Sequence, residues 1–356
     1  MKKLTTVIAG ILSLSLASAA SPIPHPATII SESGRQYSVL FKKMEQDTLR
    51  YDHQELQMLV QTDEDRERSY QFYPIGKGNS TVFANIEISA DDWKSCHEAD
   101  AFRLSGKFNE ATKRYAALVK NNPTWWYLYE NLGTMAYFEG NYAAAMDWCR
   151  KGIGENPLSA GLHTVMGDCY RQLGNDDSAM KEYYEAIITD RNDPVPWQRL
   201  GEILSFSGKR LRDLRFPDVN GFSASGDTIE VLIDKNLNTD NCEMESFLMY
   251  ALADAVWEYD ANLVEPDSIA RKNKMARPLY TLGCLLGGYV LCKSETTGVS
   301  VPYIDLINEI SEADYFSQFI IFEMLAPKTP CTTYVLPKEK REKIIEYFKK
   351  FCIIDE

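Results

Sequence analysis

Tyr129-Glu130-Asn131-Leu132-Gly133, Glu139-Gly140-Asn141-Tyr142, Ala143-Ala144-Ala145-Met146 and Glu155-Asn156-Pro157 are pieces of one stretch, from about Asp92 to Gly208, that decides the fold. Its residues return at a fixed offset of 34. A loop glycine stands at Gly106, Gly140, Gly174 and Gly208, and a small residue opens each first helix at Ala99, Gly133, Gly167 and Gly201. A second small residue marks the following helix at Ala111, Ala145 and Ala179. Three columns in phase signal a repeat array, because a period of 20–50 residues is one supersecondary unit stacked on its neighbours. Each unit reads as a helix, a turn at the glycine, a second helix and a break at Asn-Asn-Pro (121–123) or Glu-Asn-Pro (155–157). Glycine serves the turn because it adopts positive φ without steric cost, and the small residues allow close helix–helix approach.

The pattern resembles the tetratricopeptide repeat family. The second repeat carries Tyr129, Leu132, Gly133, Ala145 and Pro157; the third carries Gly167, Tyr170, Ala179, Tyr183 and Ala186. The first keeps Ala99, Phe102, Ala111, Tyr115 and Pro123, and a fourth starts at Trp197, Leu200, Gly201 and Gly208, then loses the pattern after Lys209. About three and a half repeats are present. The third departs at its end, where Arg191 stands in place of proline and Pro194 follows three residues late. The resemblance implies a solenoid of helical hairpins that binds a protein or peptide in a concave groove lined by the first helices. Carried over position by position, it places Tyr127, Glu130, Thr134, Tyr137, Phe138, Asp168 and Arg171 in that groove, with Trp93, Asp100, Arg103, Thr164, Gln172, Gln198, Glu202 and Phe206 beside them. The Lys, Asn and Arg set of the family's carboxylate clamp is mostly missing, which disfavours that ligand class. Tyr127, Tyr137 and Phe138 form an aromatic patch suited to a docking anchor. The competing expectation is that the flanking segments pack on these rings.

The flanks divide the remainder. Lys2 and Lys3, an apolar run from Leu4 to Leu16 and Ala17-Ser18-Ala19 read as a secretory signal peptide of bacterial style over residues 1–20. The run is too short to span a bilayer. The mature protein is therefore expected outside the cytoplasm, periplasmic or secreted. Residues 21–91 read as a Pro- and Ser-rich linker to 34 and then, from Arg35 to Val60, as amphipathic helix carrying Val39, Leu40, Met44, Leu49, Leu56 and Leu59. Tyr70–Pro74 and Val82–Ile88 are ambiguous between strand and helix, with a turn at Gly76–Thr81. That turn lacks the order of a phosphate-binding loop.

Residues 209–356 read as a mostly helical C-terminal domain opened by a β-hairpin, in which Ile229, Val231 and Ile233 alternate with polar neighbours. Helices are expected over Met244–Tyr259, Arg277–Leu291, Tyr303–Ile310, Tyr315–Leu325 and from Pro337 to Phe351. The fold class is thus mainly α: a helical-hairpin solenoid between an N-terminal helical segment and this domain.

Composition and chemistry narrow the function. The chain holds 38 Lys and Arg against 51 Asp and Glu, net −13, which gives no electrostatic footprint for nucleic acid or anionic lipid. Only four histidines occur and none lies in 209–356, so that domain contains no HExxH zinc site and no Ser-His or Cys-His pair. Eight cysteines without a CxxC suit buried thiols or disulfides in an exported protein; Cys149 and Cys169 are a candidate disulfide, and Cys284 and Cys292 lie too far apart on one helix to bridge. No motif implies a cofactor or metal. A non-enzymatic scaffold that binds another protein is the first reading. The alternative is a secreted hydrolase using Asp254, Glu258 and Asp260 as paired carboxylates, with the repeats as an accessory.

Overall fold

A computed structural model describes residues 25–42, 72–77, 80–217, 219–239, 241–264, 273–328 and 336–356. The expected signal peptide and the expected helix beyond residue 42 lie outside them. In chain order the elements are α1 (Pro26–Glu32), β1 (Gln36–Lys42), β2 (Phe72–Lys77), β3 (Ser80–Asn85), α2 (Ala90–Leu104), α3 (Phe108–Asn121), α4 (Trp126–Phe138), α5 (Tyr142–Glu155), α6 (Ala160–Gln172), α7 (Asp176–Thr189), α8 (Pro194–Ser205) and β4 (Lys209–Leu211). They continue with β5 (Asn220–Ser225), β6 (Thr228–Asp234), α9 (Glu243–Val264), α10 (Ala276–Glu295), α11 (Pro302–Glu312), α12 (Phe316–Phe319), a π-helical turn (Ile320–Leu325), α13 (Lys338–Phe351) and β7 (Ile353–Asp355).

These elements form two compact units, one from residues 1–51 and 216–320, the other from 52–215 and 321–356. The expected single domain over 209–356 is therefore corrected: its last helix and strand belong with the repeats. The reason is local. After Gly208 the chain enters β4 instead of a second helix, and β4 pairs antiparallel with β7 through Lys209–Asp355, Arg210–Ile354 and Leu211–Ile353. That pairing brings α13 onto α7, where Phe348 packs edge-on against Tyr184 and Trp197, with ring centroids 5.8 and 5.2 Å apart. Ile344, Tyr347, Phe348 and Phe351 on α13 are buried, so the helix covers the apolar face that an unfinished repeat leaves open.

Within the array, α2–α3, α4–α5 and α6–α7 are the three complete hairpins and α8 opens a fourth. Each first helix ends identically. Gly106, Gly140 and Gly174 take φ near +75°, +75° and +72°. Their N–H groups donate to Arg103, Tyr137 and Arg171, and the next residues' N–H groups donate to Phe102, Ala136 and Tyr170 at 2.9 Å. That pair of bonds satisfies carbonyls the helix end would leave bare. Asn141 and Asn175 then cap the second helix, each side chain accepting from the backbone three residues on. The small-residue columns are where helices meet. Ala99, Ala111, Ala145 and Ala179 are fully buried. A Cβ on Gly133 would stand 2.8 Å from Cys149 Sγ, and one on Gly167 2.6 Å from the Tyr183 ring.

The other unit corrects two further expectations. Residues 26–32, read as linker, form α1, started by Pro26 and capped by the His25 ring, with Ile29 fully buried. The strand β1 stands where an amphipathic helix was expected. It runs parallel to β6, in register from Gln36–Thr228 to Lys42–Asp234, and β6 pairs antiparallel with β5. Ile229, Val231 and Ile233 point into the core as their alternation requires. The long helix α9 packs on α10, α1 and β6. A disulfide joins Cys242 to Cys292, whereas Cys149 and Cys169 are free, buried thiols, so the candidate pairing between them is not formed. The strands β2 and β3 pair antiparallel, from Phe72–Asn85 to Lys77–Ser80. The helix expected over Tyr315–Leu325 is broken into α12 and the π-helical turn.

Candidate functional site

The first helices α2, α4, α6 and α8 carry the predicted groove residues. Several are tied to each other. Asp100 on α2 accepts hydrogen bonds from the hydroxyls of Tyr115 (2.6 Å) and Tyr127 (3.0 Å). Tyr127 is only 8% exposed, so it serves the joint between α2 and α4 and offers almost no surface. Two repeats on, Asp168 accepts from Tyr183 (2.7 Å) and pairs with Arg199 at 3.4 Å. Asp and Tyr fifteen residues apart thus recur at Asp100–Tyr115 and Asp168–Tyr183; in the intervening repeat the positions are Thr134 and Cys149. Thr134 donates back to the Glu130 carbonyl, a bond within its own helix. Arg171 is paired with Glu202 on α8.

Glu130 is the least ordinary member. Its carboxylate accepts from the Ser159 hydroxyl at 2.9 Å, and it occupies the space beside Gly161 so closely that a Cβ there would fall 2.3 Å from it. Burial pushes its pKa up to about 7; the nearby Asp193 charge adds to the rise, and Ser159 and Arg103 offset part of it. The groove thus holds one acid poised to exchange its proton near neutrality.

The aromatic patch is divided by the structure. Tyr127 sits at the start of α4 and Tyr137 and Phe138 at its end. Tyr137 is half-buried, accepts from Gln172 at 3.3 Å and leans on Tyr142. Phe138 stacks on Phe108 with ring centroids 5.6 Å apart and is 59% exposed. Phe138 has company that the groove assignment overlooked. Leu104, Phe138 and Phe206 each stand two residues before a loop glycine, and Leu173 stands one before the fourth. All four are exposed, at 77, 59, 85 and 59% for Leu104, Phe138, Phe206 and Leu173. One repeat position is thus apolar and exposed in three of the four repeats, and in the third, where it is Gln172, the exposed apolar side chain is the next residue, Leu173. In the sequence the 34-residue column reads Leu104, Phe138, Gln172 and Phe206, apolar in three repeats of four.

In the other unit the carboxylates of the hydrolase alternative are all engaged. Arg277 bonds Asp254 and Glu258 at 2.7 Å each, and Asn220 also donates to Asp254. Asp260, where α9 is kinked, accepts from Arg35 and from the Tyr37 hydroxyl. Among the described residues no group of His, Cys, Asp and Glu is placed to hold a metal ion. No helix among them is long and apolar enough to cross a membrane.

A stack of two-helix units with glycine turns and small-residue joints defines the class: a helical repeat solenoid. Residues 97–160 and 160–193 match two family models, both described as tetratricopeptide repeat, and this segment is a tetratricopeptide repeat array. Among solved structures, the first such domain of Spaghetti (RPAP3), bound to the HSP90 peptide SRMEEVD, is 17% identical with a TM-score of 0.32, over 34% of this chain and 97% of that one. The Yersinia enterocolitica type III secretion translocator chaperone SycD is 22% identical with a TM-score of 0.30, over 34% of this chain and 91% of that one. PcrH, in complex with the chaperone-binding region of PopD, is 21% identical with a TM-score of 0.31, over 33% and 92%. No curated protein sequence matches the chain.

Proposed function

We propose that this protein is an exported, non-enzymatic interaction module whose repeat array docks a segment of another protein. The observation that carries the reading is the row of exposed apolar side chains at Leu104, Phe138, Leu173 and Phe206. Apolar side chains left in water at the same end of successive first helices are the kind of surface that binding sites use when they form a contiguous patch. Two predicted groove residues support the same reading: Asp168 and Arg171 lie in the last turns of α6, next to Leu173. Engagement of Asp254 and Glu258 by Arg277 favours the scaffold over the hydrolase, since an acid catalyst needs a carboxyl free to deliver a proton. Export is supported by the leader-like residues 1–20 and by the Cys242–Cys292 disulfide, which persists in oxidising compartments.

Affinity capture with the mature protein from its own organism tests this. The wild-type chain is expected to retain one defined protein, and the F138S/F206S double variant to lose most of it while unfolding at an unchanged temperature. Equal retention by the variant sinks the docking edge. N-terminal sequencing of the native protein is expected to begin near Ala20 or Ser21, and an intact Met1 would remove export.

A further inference from the structure

Four carboxylates of the predicted groove, Asp100, Glu130, Asp168 and Glu202, stand on the first helices of the array, and three of them have an arginine. Asp100 lies 3.7 Å from Arg103 and Asp168 3.4 Å from Arg199, and Glu202 bonds Arg171. Glu130 has no such partner among the described residues; its carboxylate accepts from the Ser159 hydroxyl at 2.9 Å. The repeat columns give the reason. The position that is Arg103 in the first repeat and Arg171 in the third is Tyr137 in the second, so the repeat that carries Glu130 brings no cation there. Arg103, engaged with Asp100 and Tyr115, acts on Glu130 only at a distance.

The room beside this acid is a second observation. Trp93 and Tyr127 fill one column of the first two repeats, and the third places Gly161 there. The Glu130 carboxylate lies where a Cβ on Gly161 would stand, and Glu130 keeps part of its surface open. An aromatic ring at that position would take the carboxylate's place; glycine leaves the place to it. Ser159 already supplies a neutral donor, so what the site lacks is positive charge. A partly desolvated carboxylate is costly to ionise until a cation meets it. In a chain of net charge −13, a basic partner is also the one that the overall field attracts. We infer that Glu130 receives a lysine or arginine side chain of the docked segment. The inference rests on the docking reading and names the chemistry of the partner.

Selection of random dodecapeptides by phage display on the immobilised mature full chain at pH 8 tests it, with E130Q in parallel. Peptides enriched on the wild type are expected to share a lysine or arginine at one position, and those enriched on E130Q to lose that preference. A histidine-free peptide from the wild-type selection is then titrated by fluorescence anisotropy. E130Q is expected to bind it at least tenfold more weakly at pH 8. Binding to the wild type is expected to weaken about tenfold from pH 8 to pH 6, because Glu130 takes up its proton near 7. Of the groups around it, Arg103 and the Cys149 thiol are both pushed up and keep their charge over that range, and Asp193 adds a fixed negative charge. E130Q is expected to bind equally at both values. Enriched peptides with no common basic position overturn the inference and leave the docking reading standing. A basic preference or a pH dependence kept undiminished by E130Q does the same. No enriched sequence on either chain overturns the docking reading, and the inference falls with it.

Discussion

Glu130 shows how one buried side chain ties the stability of the array to pH. In the unfolded chain its carboxyl titrates near the ordinary 4.5; in the folded chain it does so at about 7, because burial disfavours the charge. Between those values the native state holds a proton that the unfolded state has released. The contribution of Glu130 to stability is therefore complete below about pH 4.5 and is lost as pH rises through 7. The E130Q variant keeps the shape and the Ser159 contact without the charge. It is expected to exceed wild type in stability by about 1–3 kcal/mol at pH 8 and to match it near pH 4.5, as measured by urea unfolding at the two values. Arg191 illustrates the opposite kind of buried charge. It is 2% exposed, bonds Asp213 at 2.6 Å and Glu323 at 2.7 Å, and lies between Trp197 and Phe322, each ring centroid 4.8 Å away. The paired Arg191 and Arg215 hold the Asp213 carboxyl down to about 2 despite its burial. R191M leaves Glu323 buried without a cation and Asp213 with Arg215 alone, and is expected to cost about 3–5 kcal/mol, read as a fall in the urea midpoint. In the sequence Arg191 was visible only as a departure from the repeat pattern, a missing proline; its partner Glu323 lies 132 residues on, beyond any local period.

At the scale of elements, the joints between helices make the sharpest distinction. A Cβ on Gly167 meets a Tyr183 ring that is fully buried and bonded to Asp168, so the ring has nowhere to go. G167A is expected to cost about 1–3 kcal/mol through overpacking, even though alanine is the better helix former. Gly201 occupies the same repeat column, but its nearest neighbour would be Leu211 Cδ1 at 3.6 Å, an ordinary contact. G201A is expected to stabilise by up to about 1 kcal/mol. Thermal unfolding of the two variants side by side checks the contrast; two losses of equal size would refute it. The helices of the array were legible because every determinant lies within 34 residues: glycine turn, asparagine cap and small joint. The strand β1 was not, since Val39 and Leu40 fit a helix as well as a strand and the deciding partner, Val231 and its neighbours on β6, is remote in sequence. Of the groove, the lining helices were readable, whereas the removal of Tyr127 from the surface depended on Asp100 two helix turns into the preceding repeat. The exposed edge is only partly legible in the columns, because Gln172 interrupts the apolar position and Leu173 is one residue out of phase.

For the whole molecule, the cross-link and the division of the chain matter most. Cys242 and Cys292 are 50 residues apart and join the start of α9 to the end of α10. Closing a loop of that size stabilises by about 4 kcal/mol through the unfolded chain. C242A/C292A is expected to lower the unfolding temperature of the unit that contains it, followed by near-ultraviolet circular dichroism. Peptide mapping under non-reducing conditions is expected to recover this pair linked and Cys149 and Cys169 alkylated; a linked Cys149–Cys169 peptide would contradict the assignment. Even spacing gave no hint of which cysteines meet, because the antiparallel placement of α9 and α10 chooses them.

The parallel partnership of β1 with β6 sets an order of events during synthesis. Residues 36–42 leave the ribosome early, yet their hydrogen-bonding partner at 228–234 emerges only after the whole repeat array. The array in turn waits for α13 and β7 at the far end to cover its last apolar face. Neither unit is finished by a contiguous length of chain. A nascent polypeptide halted before residue 228 would display an unpaired strand and an open solenoid end together; completing β6 retires the first hazard and completing α13 and β7 the second.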